Sequence, residues 1–132
     1  MIDECHRCKA NEVPSGCLPM KYYETTGTLD SGEEIVLRYD VSSAFAWAKE
    51  NVVPVQLPFE MACNLIITNL SETFCGAHVE HVNRRIHPIC GTYEQKLLLL
   101  DGTHRLFARL KYHERPLVYL LNEEQTAMFR LP

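Results

Sequence analysis

Hydrophobic positions fall into two regimes along this chain. Through the first thirty-odd residues Pro14, Gly16, Pro19, Gly27 and Gly32 punctuate polar stretches that show no helical period, which predicts an irregular, cysteine-containing segment over 1–33. From Glu34 the pattern sharpens. Ile35 to Val41 is β-branched and aromatic enough for a strand, and Ser42 or Ser43 is placed to cap a short helix over Ala44–Lys49 carrying Trp47. Pro54 and Pro58 break the next stretch into an extended piece. Phe59, Cys63 and Ile66 recur at helical spacing over Phe59–Thr68, while Leu65-Ile66-Ile67 equally suits a strand. Val79 and Val82 share one face of a helix predicted from about Gly76 to Arg85. An extended segment around Pro88 follows, then a turn at Tyr93-Glu94-Gln95. The unbroken run Lys96-Leu97-Leu98-Leu99-Leu100 reads as a buried strand. Asp101-Gly102 turns the chain into a helix bearing Leu106, Phe107 and Leu110 and reaching about His113. Pro116 stops it, Leu117–Leu121 is another buried strand, and Asn122 caps a last helix with Glu123 and Glu124 in its first turn. Strands mixed with helices, without a repeat, predict an α+β domain over 34–132 with a small mixed sheet and packed helices.

Composition narrows the function classes. The 132 residues suit one domain, and 46% apolar with 23% charged residues is the balance of a globular chain rather than a disordered one. A net charge of −4 argues against nucleic acid as the sole partner and against an anionic membrane. The balance is uneven: residues 1–66 hold five basic and ten acidic side chains, residues 67–132 eight and seven, with five of the six histidines. An anion site is therefore expected in the second half. Met1–Val13 carries charges and cysteines where a signal peptide needs an apolar core, and no apolar run spans a bilayer, so a cytoplasmic protein is expected. The six cysteines then read as thiols, metal ligands or core filler.

The stretch richest in chemistry is Asp101-Gly102-Thr103-His104-Arg105. A buried strand running through a glycine into a helix makes the free N–H groups of the first helical turn converge beyond the strand end, where the helix dipole favours an anion. Gly102 lets a ligand approach the backbone, Thr103 and His104 add donors, and Arg105 can grip two phosphate oxygens at once. His104 can also shuttle a proton, and Asp101 can cap the helix or hold the Mg²⁺ that accompanies a nucleotide, making these two the candidate catalytic groups. The competing reading is a common glycine turn with a solvated arginine.

Asp-Gly-x-His-Arg after a buried strand, with Ala108 three residues beyond the Arg, resembles the phosphate-binding box of the ParB/sulfiredoxin-like superfamily. The likeness covers roughly residues 76–121, including Pro88-Ile89 and the strand after Pro116. It implies the fold of that superfamily, contact of Gly102, His104 and Arg105 with the phosphates of ATP or another nucleotide, and phosphoryl transfer or nucleotide hydrolysis as the natural reaction. Members differ around the box. Thr103 stands where sulfiredoxins have a reactive Cys. ParB-type domains have Glu, Arg and Arg in place of Thr103, His104 and Phe107. Free-serine kinases share the Asp-Gly-x-His-Arg form. A non-catalytic protein-interaction module of a phage, plasmid or accessory protein is the alternative expectation, and a ParB-like nuclease or DNA-binding module a further one.

Three other groups draw attention. Cys5-x-x-Cys8 with Cys17 has the first-pair spacing of a zinc knuckle, so Zn²⁺ is a candidate there; the alternative is free thiols in a tail. Cys75, His78 and His81, followed by His87 and Cys90, offer weaker metal-ligand spacing. Asn83-Arg84-Arg85 could bring one more Arg to the anion, whereas Phe45, Trp47, Phe59 and Phe107 read as core.

Overall fold

The structure, a computed structural model, describes residues 22–28, 31–68, 79–80, 82 and 84–132. Two strands, β1 (Tyr22–Thr28) and β2 (Glu34–Asp40), form an antiparallel hairpin paired along its whole length, from Tyr22 opposite Asp40 to Thr28 opposite Glu34. The strand β1 lies in the stretch expected to be irregular. Its Tyr-Tyr-Glu-Thr-Thr sequence has the β-branched and aromatic composition of a strand but too few aliphatic residues to mark it.

The helix α1 (Val41–Asn51) begins two residues earlier than the serines suggest, because Asp40 is the cap: its Oδ1 accepts from the Ser43 N–H at 3.1 Å and its Oδ2 from the Ser43 hydroxyl at 2.8 Å. After the short strand β3 (Val55–Gln56), Phe59–Thr68 resolves as the helix α2, not a strand. Of the helix expected over 76–85, most lies outside the described residues, while Arg84 and Arg85 sit in a turn.

The second half forms β4 (Ile89–Tyr93), β5 (Lys96–Asp101), α3 (Thr103–Lys111), β6 (Leu117–Leu120) and α4 (Glu123–Ala127). The strands assemble in the order β3-β6-β4-β5, with β4 and β5 a hairpin and β6 parallel to β4. The connection from β5 through α3 to β6 therefore hops over β4. Glu94 and Gln95 turn the β4–β5 hairpin at φ 47° and 67°, the left-handed pair a two-residue turn requires, and Glu123 accepts the Gln95 N–H at 2.7 Å. Asn122 and Gln125 form a reciprocal capping box at the start of α4, as Asn122 promised. The α3 helix ends at Lys111, short of the expected His113, which is itself left-handed at φ 57°.

Both faces of this sheet are covered, which explains the unbroken leucine run. Ile89, Leu100 and Leu121 pack with Leu37, Tyr39, Val41, Ala44 and Ala48 from β2 and α1 on one face. Cys90, Leu99 and Val118 pack with Leu57, Ala62, Leu65, Ile66 and Leu106 from α2 and α3 on the other. Adjacent residues of each strand thus serve opposite cores. No helix among the described residues is long and apolar enough to cross a membrane. The result is an α+β fold with small sheets.

Candidate anion site at the strand-to-helix turn

The β5–α3 turn is fixed by close packing. Gly102 sits at φ 104°, and a Cβ there would lie 2.7 Å from Pro88 Cβ and 2.8 Å from its Cα, so both the dihedral and the space demand glycine. Pro88 is itself anchored, since its carbonyl accepts the Tyr119 N–H of β6 at 2.8 Å. The Gly102 carbonyl accepts the first α3 bond, from Leu106 N–H at 2.7 Å, and Gly102, as the N-cap residue, has no side chain with which to cap the helix.

Asp101 closes β5 with its side chain folded back on the turn. Its Oδ1 accepts the Gly102 N–H at 2.8 Å and its Oδ2 lies 3.3 Å from Arg105 Nη2. The carboxylate thereby joins the entrance of the turn to a guanidinium one helical turn on. Asp101, His104 and Arg105 are all buried, and Thr103 is half-buried. The structure thus gathers the sequence-predicted residues Asp101 to Arg105 around one turn, with Asp101 and Arg105 in direct contact.

Behind the turn lies a second buried arginine that the sequence reading did not single out. Arg109 donates from Nε and Nη2 to the Arg84 carbonyl at 3.1 and 2.5 Å, and from Nη1 to the Leu117 carbonyl at 2.9 Å and the Arg115 carbonyl at 3.4 Å. Its Nη2 also reaches His87 Nδ1 at 2.9 Å. With Nδ1 accepting, the neutral ring carries its proton on Nε2. The ring stands edge-on to Tyr119 at 5.3 Å, and burial first, then the Arg109 charge, pushes the His87 pKa below its usual value. Arg109 therefore ties α3 to the segment entering β4 and to the start of β6. The available signal was the helix's inverted pattern: arginines at i and i+4 flank Phe107, which points outward.

Other expected site residues fall elsewhere. The Arg84 side chain pairs with Glu114 and stacks on Tyr112 at 4.5 Å, so it serves the far end of α3 rather than the β5–α3 turn. Cys90 is core filler: it is fully buried among leucines, and burial pushes its thiol pKa up to about 12, the opposite of what a metal ligand needs. Cys5, Cys8 and Cys17 lie outside the described residues, as do Cys75, His78 and His81. Among the described residues no three His, Cys, Asp or Glu side chains are grouped to hold a metal ion.

Two aromatic residues expected in the core are on the surface. Phe59 is 66% exposed and Phe107 37%, because the α2 and α3 faces that meet the sheet are already filled by Ala62, Leu65, Ile66 and Leu106. With Cys63, Ile67 and Leu110 they line an apolar groove of about 660 Å³ between the two helices. No protein-family model matches the chain, and neither a curated protein nor a solved structure matches it.

Proposed function

We propose that the β5–α3 turn binds a nucleotide or another phosphorylated small molecule, in the manner of the ParB/sulfiredoxin-like domains that the Asp-Gly-x-His-Arg box resembles. The observation that carries this reading is the convergence on one turn of a helix start whose N-cap is a glycine, that glycine's close packing on Pro88, and the buried Arg105 guanidinium. Backbone amides of the first α3 turn would meet phosphate oxygens, Arg105 would neutralise their charge, and His104 and Asp101 are the groups placed for proton transfer or for a Mg²⁺ ion that accompanies the nucleotide. Phosphoryl transfer or nucleotide hydrolysis is the reaction such a turn can assist, since it needs mainly positioning and charge stabilisation.

Thermal melting against ATP, ADP, CTP and GTP, with and without Mg²⁺, tests the reading on wild type, Arg105→Ala and Arg105→Lys. A ligand of the folded state raises the melting temperature by mass action. The expected result is a rise with one nucleotide that shrinks in the Lys variant and vanishes in the Ala variant. No rise with any nucleotide would overturn it.

A second reading, a protein-interaction module without catalysis, draws on the α2–α3 groove, whose exposed Phe59, Ile67 and Phe107 form an apolar strip on one side of the molecule. Phe59→Ser with Phe107→Ser would leave nucleotide-dependent melting untouched and abolish partner retention if that reading holds.

A further inference from the structure

We infer that the Asp101 carboxylate is a built-in counter-anion that competes with the ligand for the β5–α3 turn. This inference rests on the phosphate-binding reading above and concerns how that site is regulated. Each Asp101 oxygen meets a positive feature of the turn: Oδ1 takes the Gly102 N–H and Oδ2 faces Arg105 Nη2. A phosphate group entering the turn needs the same guanidinium, and meets a like charge on the side chain already holding it.

The contact is long enough to be exchanged. At 3.3 Å the Asp101–Arg105 pair exceeds the roughly 2.7–2.9 Å of a well-made charge-assisted bond. Arg109, equally buried four residues along the same helix, reaches the Leu117 carbonyl at 2.9 Å. The Asp101 contact reaches Arg105 through Nη2 from one carboxylate oxygen, whereas a phosphate can offer a guanidinium two oxygens side by side. A phosphate dianion that offers two oxygens displaces Asp101 from the guanidinium. A weakly basic monoanion, with less charge to set against the carboxylate, leaves the pair closed. The carboxylate consequently lowers affinity for all anions and sharpens selection for the most highly charged.

The test is titration of inorganic pyrophosphate into the full chain by calorimetry, using wild type, Asp101→Asn, Asp101→Ser and Arg105→Ala, each first shown to melt cooperatively. Removing the competing charge is expected to tighten pyrophosphate binding by about 10-fold in at least one Asp101 variant that folds. Binding that is unchanged or weaker in the folded Asp101 variants would overturn the inference, since Asp101 would then be orienting Arg105 for the ligand. If the same titrations still show wild-type binding that Arg105→Ala removes, the anion site stands while its gating by Asp101 falls. Absence of pyrophosphate binding in wild type and in both Asp101 variants overturns the gating and the site together.

Discussion

Arg105 and Arg109 lie one turn apart on α3, and each is only 4% exposed, yet they hold different kinds of partner. Arg105 faces a carboxylate from its own turn, at a sequence separation of four. Arg109 is spent on the carbonyls of Arg84, Arg115 and Leu117 and on the His87 ring, groups that belong to the frame. A charge matched by another charge can change partners when an anion arrives. A charge dissolved among backbone carbonyls cannot do so as readily, because releasing it strands several part-buried acceptors at once. The comparison separates a guanidinium paired with a carboxylate from one bound to the backbone frame, a distinction that residue type and burial alone do not make.

The largest effect that would break this contrast is at Arg109. Arg109→Ala leaves the Arg84 and Leu117 carbonyls without their donor and is expected to cost about 3–4 kcal/mol, read by urea unfolding. A loss below about 1 kcal/mol would mean that water takes over those carbonyls and that Arg109 is no more structural than Arg105. Next comes Gly102→Ala, which combines an unfavourable φ with a Cβ inside the contact radius of Pro88. Its expected cost is about 2–3 kcal/mol, with loss of any anion binding even where the protein still folds.

The pairing of Arg105 is sharpened by a double-mutant cycle. Arg105→Ala takes the guanidinium away from the buried Asp101 charge, and Asp101→Asn in that background is expected to recover about 1–2 kcal/mol of stability. Additive losses would show that the pair is not coupled. The smallest effect concerns His87. Its pKa is held below the ordinary 6.5, so the unfolded chain binds the proton more readily than the folded one. Stability is complete above about pH 6.5 and falls as the pH drops below that value towards the folded pKa. His87→Gln, which keeps an acceptor for Arg109 without a titrating ring, should flatten that part of the stability–pH curve. An unchanged slope would assign it to other groups.

Much of the frame was legible in the residue pattern. The strand preceding the turn, the turn itself, the helix after it and the strand beyond Pro116 all follow from apolar runs broken by Asp-Gly and Pro. Asn122 marked its capping box correctly. The misreadings share a cause. Asp40, not a serine, caps α1 because the chain enters it straight from β2, and Phe59 and Phe107 face outward because smaller residues on the same helices fill the interfaces. The metal readings at Cys5, Cys8 and Cys17 fall on residues outside those described, and Cys90 proved to be core.

What the sequence determined by itself was local: which segments extend, which coil, and that a glycine must turn β5 into α3. Those outcomes depend on side-chain period and backbone freedom within a few residues. Tertiary structure alone decided which arginine meets which partner. Arg109 finds His87 and the Arg84 carbonyl across separations of 22 and 25 residues, and those groups reach it only once the segment before β4 is laid alongside α3. Arg105 meets Asp101 within a single helical turn, so that contact lies inside five consecutive residues, whereas the partners of Arg109 do not.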